Sequence, residues 1–173
     1  MGQRLLPVVA VLGIGISLAA CSSGSPSKQS GGSGGATSTT STTADLTAAA
    51  SAAYGAAYNT MQTADNAGID QQNSSDQSTQ IAGINARVQV RQTFDTAIQA
   101  IQFPTSAQTD AKAVLSADVA LETALGDLSV NVNDTANYNS VFQTVSTDLS
   151  AFAAADAALS SDLGLTNVTT TTG

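Results

Sequence analysis

Between residues 44 and 165 apolar residues recur at intervals of three and four rather than two, and this period decides the fold class. A chain patterned in that way cannot line one face of a strand, whose successive side chains point to opposite sides, but it does line one side of a helix. Ala, the best helix former, outnumbers Val and Ile over the same stretch. The expectation is therefore an all-α domain.

The pattern predicts four segments. The first, over 45–65, carries Leu46, Ala50, Ala53, Ala57, Met61 and Ala64 on one face and ends near Asn66, Ala67 and Gly68. The second, over 77–103, starts behind Asp76 as N-cap, presents Ile81, Ile84, Val88, Phe94, Ile98 and Ile101, and is stopped by Pro104. Thr105 to Gln108 has capping-box spacing and opens the third, with Val114, Ala117, Leu121, Leu125 and Leu128 on its stripe; it closes near Ser129. The fourth begins after Asn133 or Asp134 and runs through Tyr138, Val141, Val145, Leu149, Phe152, Leu159 and Leu163, with Gly164 placed as a helix-ending glycine. Short connections between the later segments force antiparallel neighbours, so the predicted architecture is an up-down-up-down four-helix bundle. The rival is a three-helix bundle with the Ala-rich first segment outside.

On a helical wheel Arg87 and Arg91 fall inside the apolar stripe of the second segment, a placement that demands partners. Counting from the turn at Pro104 puts Asp118 at the height of Arg91, and Asp148 at a similar height on the fourth segment. Three readings of these residues stand: an ion pair between helices that fixes register, with Asp95 a local i, i+4 addition; a guanidinium pair lining a pocket for an anionic ligand; or arginines that snorkel to solvent. Asp156 lies in the middle of the fourth stripe with no basic residue to place beside it. It is open whether it is an internal polar group, part of an Ala-lined cavity, or a mark of a splayed end. Tyr54 and Tyr58 read either as core residues or as an exposed aromatic patch.

Composition narrows the chemistry. The chain has no His and one Cys, which removes the commonest general base and the commonest metal ligand and leaves no intramolecular disulfide. Asp118 and Glu122 stand at i, i+4, but a ferritin-like di-metal site wants Glu-x-x-His on two helices, so no metal or cofactor is expected. Without His, or a Lys placed beside a Ser, no nucleophile has an evident activator, and the expectation is a non-enzymatic protein. With 5 basic against 13 acidic residues and no run of Lys or Arg, nucleic acid is excluded as a partner.

The first twenty residues follow a different rule. Arg4 precedes an almost wholly apolar run from Leu5 to Ile16, broken by Pro7, Gly13 and Gly15, and then come Leu18, Ala19, Ala20 and Cys21. A positive start, a short apolar run and small residues before a cleavage point are the parts of a secretory signal. Leu18-Ala19-Ala20-Cys21 resembles the lipobox of bacterial lipoproteins at all four positions. The resemblance implies cleavage between Ala20 and Cys21, a diacylglyceryl group on the Cys21 thiol, and a further fatty-acyl chain such as palmitate on the new N-terminus. It also implies a place on the extracytoplasmic face of the cell membrane, or at the outer membrane in a Gram-negative host; the Ala- and Thr-rich composition is of actinobacterial type. Loss of Arg4 leaves 4 basic against 13 acidic residues, a net charge of about −9.

The chain thus divides into a signal peptide at 1–20, the lipidated Cys21 with a flexible Ser/Gly/Thr linker at 21–43, the bundle at 44–165 and a disordered tail at 166–173. A coil of about 22 residues spans roughly 25 Å, enough to lift the bundle off the headgroups. Two function classes follow. One is a membrane-anchored envelope protein whose bundle is an interaction or structural module with an envelope protein as partner; the other is a small-ligand carrier or sensor with an inter-helix site near Arg87 and Arg91. Oligomeric state is not legible in the sequence.

Overall fold

A computed structural model describes residues 42–165; the signal peptide, Ala20, Cys21, nearly all of the linker and the tail lie outside the described residues. Four helices follow one another: α1 (Thr43–Gln72), α2 (Gln77–Gln99), α3 (Gln108–Val130) and α4 (Thr135–Asp162). Each packs on the next in sequence, giving an all-helical up-down-up-down bundle. No described helix is long and apolar enough to cross a membrane.

Three N-termini are capped by side chains that leave their own helix. Thr42 and Asp45 form a capping box on α1, with the Asp45 amide donating to the Thr42 hydroxyl and the Thr42 amide donating to Asp45. Asp76 accepts from the Thr79 amide at 2.8 Å, and Asp134 from the amides of Ala136 and Asn137. Gly164, at φ 67°, follows α4 in the left-handed conformation that ends helices. The capping box expected at Thr105 is absent: α3 starts three residues later behind Ala107 without a side-chain cap, and the Gln108 side chain donates instead to the Phe103 carbonyl. Nor does α2 reach Phe103. Pro104 disfavours helical geometry in the residue before it, and the helix tightens into shorter-range bonds at Ala100 and Ile101.

The larger correction concerns α1, which runs through Gly68 to Gln72. Gly68 ends nothing; it makes a helix contact. A Cβ on Gly68 would come within 2.5 Å of Arg87 Cγ, and one on Gly83 within 2.6 Å of both the Gln72 nitrogen and the Gly68 carbonyl oxygen. The two glycines let the α1 and α2 backbones approach at the end far from the chain termini.

The buried face of α1 is also rotated from the expected Ala stripe. Ala50 and Met61 of the expected face are buried, but Ala53 is exposed and Ala57 and Ala64 are half-buried, whereas Tyr54 and Tyr58 are buried. Large rings remove more apolar surface from water than methyl groups, so the tyrosines set the inward direction. Tyr54 and Tyr58 join Phe94 of α2 and Phe152 of α4 in a cluster with centroids 6.0 to 6.4 Å apart. Through this cluster α1 meets α4. The α3 stripe of Val114, Leu121, Leu125 and Leu128 is buried as expected, while Leu149 of α4 is 38% exposed.

Gly83→Ala is expected to destabilise the bundle by about 1–3 kcal/mol, because the added methyl meets backbone that cannot rotate away. Gly126→Ala, whose Cβ would meet nothing within 4 Å, is expected to stabilise it by about 0.5–1 kcal/mol through helix propensity. Urea unfolding with unchanged m-values checks both; equal effects would mean that the close approach is not needed.

Candidate functional site

Arg87 and Arg91 are one helical turn apart on the buried face of α2, between Ile84 and Phe94. Burying Ile84, Phe94 and Ile98 therefore buries the guanidinium groups too, and they are 4% and 2% exposed. Such a cation is tolerated only when its donors are answered. Asp65 of α1 answers both: its Oδ1 accepts from Arg87 Nε at 2.9 Å and its Oδ2 from Arg91 Nη2 at 3.2 Å. Gln72 Oε1 accepts from Arg87 Nη1 at 2.6 Å. Across the bundle Arg91 Nη1 donates to Asp118 Oδ1 in a short, fully buried ion pair, and the Phe152 ring lies 5.0 Å from the guanidinium carbon.

The structure thus brings Arg87, Arg91 and Asp118 together and leaves Asp148 out. Asp148 is half-buried and makes no ion pair; the α4 side chain that lies over Arg91 is Phe152, one turn further along. Asp65 and Gln72 belong to the network but not to the sequence expectation. The signal that would have found them is the demand of two buried cations for more than one acceptor, combined with a first helix allowed to continue past Gly68.

Asp95 does not pair with Arg91. It turns toward α3, where a carboxylate oxygen from each of Asp95, Asp118 and Glu122 lies within 4.8 Å of the others. Burial pushes the Asp95 carboxyl up to about 7, and the charges of Asp118 and Glu122 add to the shift. Asp118 is raised by burial against the opposing pull of Arg91, and Glu122 by burial and the Asp118 charge.

Asp156 finds its partner on the non-consecutive helix. The Tyr54 hydroxyl donates to Asp156 Oδ1 at 2.5 Å, and the Ser160 hydroxyl lies at 3.5 Å. Burial raises the Asp156 carboxyl despite these bonds, and burial also raises the Tyr54 and Tyr58 phenols. The two tyrosines are 0% and 4% exposed and form no surface patch.

Apolar grooves lie elsewhere on the described surface. One of about 470 Å³ runs along α1 and the end of α2, lined by Leu46, Ala50, Ala53, Ala57, Ala97 and Ile101; it does not touch the arginines. Another lies between the ends of α2 and α3. Comparison of the chain with protein-family models, curated proteins and solved structures gives no match.

Asp65→Ala is expected to cost about 3–5 kcal/mol, since it strands two buried guanidinium groups at once, whereas Asp148→Ala should lie within about 0.5 kcal/mol of the parent. Denaturant unfolding decides this; similar small losses would mean that water reaches the arginines. A pH dependence follows from Asp156. Its folded carboxyl is raised above the ordinary 3.8, so its contribution to stability is fully present below that value and is lost as pH rises toward the folded one. Asp156→Asn still accepts from Tyr54 but carries no charge, so its stability relative to the parent should improve between pH 4 and pH 7. A difference that stays constant across that range would contradict the assignment.

Proposed function

We propose that the protein is a lipid-anchored extracytoplasmic lipoprotein whose bundle is a non-catalytic interaction or structural module of the cell envelope. One observation carries the anchoring: the lone cysteine stands directly after an apolar run and the residues Leu18-Ala19-Ala20, and directly before a Ser/Gly tract. The bundle supports the second half of the reading by what it does with its basic residues. Five of the six guanidinium nitrogens of Arg87 and Arg91 donate to Asp65, Gln72 or Asp118; Arg91 Nε alone is buried without an acceptor. An anionic ligand at this place would have to displace carboxylates of the chain itself.

Topology gives the bundle a direction. Four antiparallel helices return the chain to the end where it entered, so residues 42 and 165 share one end and the turns at 73–76 and 131–134 share the other. Under the proposed anchoring the tether from Cys21 joins the first end and leaves the second end unattached. The second end carries Asp70, Asp76, Asp127 and Asp134, all exposed, while Lys112, the one exposed cation among the described residues, lies near the tethered end. The partner that fits such a tip is basic or uncharged, not a polyanion.

Cys21→Ala is expected to remove the acyl mass and shift the chain from the membrane fraction to an unprocessed or released pool, read by intact-mass measurement and fractionation. A parent protein with a mature N-terminus and no added acyl mass would refute the anchoring.

A further inference from the structure

Asp118 is fully buried and Asp95 is 7% exposed, yet Asp95 Oδ1, Asp118 Oδ2 and the buried Glu122 Oε1 accept no hydrogen bond. Buried carboxylate oxygens are normally paired, and three orphans in one place are answered either by a proton shared between them or by a bound cation. Charge makes the same demand independently. Asp65, Asp95, Asp118 and the half-buried Glu122 set four carboxyl groups against the two guanidinium groups of Arg87 and Arg91, two more than the arginines answer.

We propose that Asp95, Asp118 and Glu122 bind one divalent metal cation through their carboxylate oxygens. A single such ion answers the orphaned oxygens and balances the two carboxyl groups that the arginines leave over. Arg91 stays outside the coordination sphere and holds the opposite oxygen of Asp118, orienting that ligand as outer partners of metal-bound carboxylates do.

The donor set selects the ion. Three carboxylates with no nitrogen or sulfur suit a hard cation such as Ca²⁺ or Mn²⁺. Oxygens that all lie within 4.8 Å of one another can share one cation at the bonds of about 2.3–2.6 Å typical of Ca²⁺, whose shell is flexible, whereas Mg²⁺ demands a near-ideal octahedron. Glu122 is only half-buried, which opens the site to solvent on one side, gives the ion an entry path, and leaves room for water to complete its shell. Asp118 and Glu122 stand at i, i+4 on α3, and the antiparallel α2 brings Asp95 to them as the third ligand.

The test uses the purified full chain in detergent, stripped with chelator and titrated with Mn²⁺ at neutral pH, with free Mn²⁺ read by electron paramagnetic resonance. One Mn²⁺ per chain is expected, displaced by Ca²⁺ and bound at least tenfold more weakly by Asp95→Asn and by Glu122→Gln. Both substitutions relieve crowded charge, so the variants should retain full helical circular dichroism, and a variant that unfolds leaves the other to report. Equal binding by parent and folded variants would overturn the proposal by assigning the ion to surface acids. Absence of Mn²⁺ binding, with acid rather than Ca²⁺ raising the melting temperature, would overturn it in favour of shared protons.

Discussion

The Asp65 carboxylate, held between Arg87 and Arg91, is the interaction on which the rest of the bundle depends. The second helix cannot bury Ile84, Phe94 and Ile98 without burying the two arginines on the same face, so acceptors have to come from its neighbours. Asp118 supplies one from α3; only α1 supplies a group that reaches both. A slip of α1 by one turn in either direction would put Met61 or Ile69 in place of Asp65, and neither answers a guanidinium. Buried ion pairs contribute little net stability over well-packed apolar residues, but a wrong register leaves cations stranded at several kcal/mol, which makes the pairing a means of choosing one alignment.

Reaching that alignment requires the backbones to close. Gly68 and Gly83 stand opposite one another beside Arg87, where any side chain on either would strike backbone or the arginine stem. The extra turn that carries α1 past Gly68 also brings Gln72 to Arg87. At the other end the rings of Tyr54, Phe94 and Phe103 separate the helices, and the Ala-lined groove opens beside them. Close approach of α1 and α2 at one end and a ring-flanked groove at the other follow from where the sequence places its smallest and largest side chains.

The helical period, the caps at Asp76 and Asp134, and the levelling of Arg91 with Asp118 were all legible because each depends on spacing within one segment or across one short turn. What escaped the sequence depended on a neighbour. A glycine that ends a helix and a glycine that admits another helix look the same in one chain, and reading Gly68 as the former put Asp65 at a fraying end and hid its role. Asp148 had the right height, but height does not reveal that the α4 side chain over Arg91 is Phe152. Asp156 seemed without a partner because Tyr54 lies on a helix remote in sequence, brought near by closure of the bundle. The Ala stripe of α1 misled for a related reason: many small residues define a face less firmly than two tyrosines do.

Interior use of the arginines also shapes the exterior. With Arg87 and Arg91 buried, the described surface presents Lys112 against a predominance of acidic side chains, and no basic patch remains to draw the bundle onto anionic headgroups. Under the proposed anchoring, attachment then rests on hydrocarbon alone. One acyl chain binds a membrane only marginally, and a common remedy, a polybasic segment beside the lipid, is denied to an acidic domain. The pattern at Leu18 to Cys21 suits that constraint, since the lipoprotein modification it resembles places at least two acyl chains on one residue. Repulsion from anionic lipid and the Ser/Gly tract after Cys21 act in the same direction, holding the acidic bundle clear of the surface while the chains keep it attached.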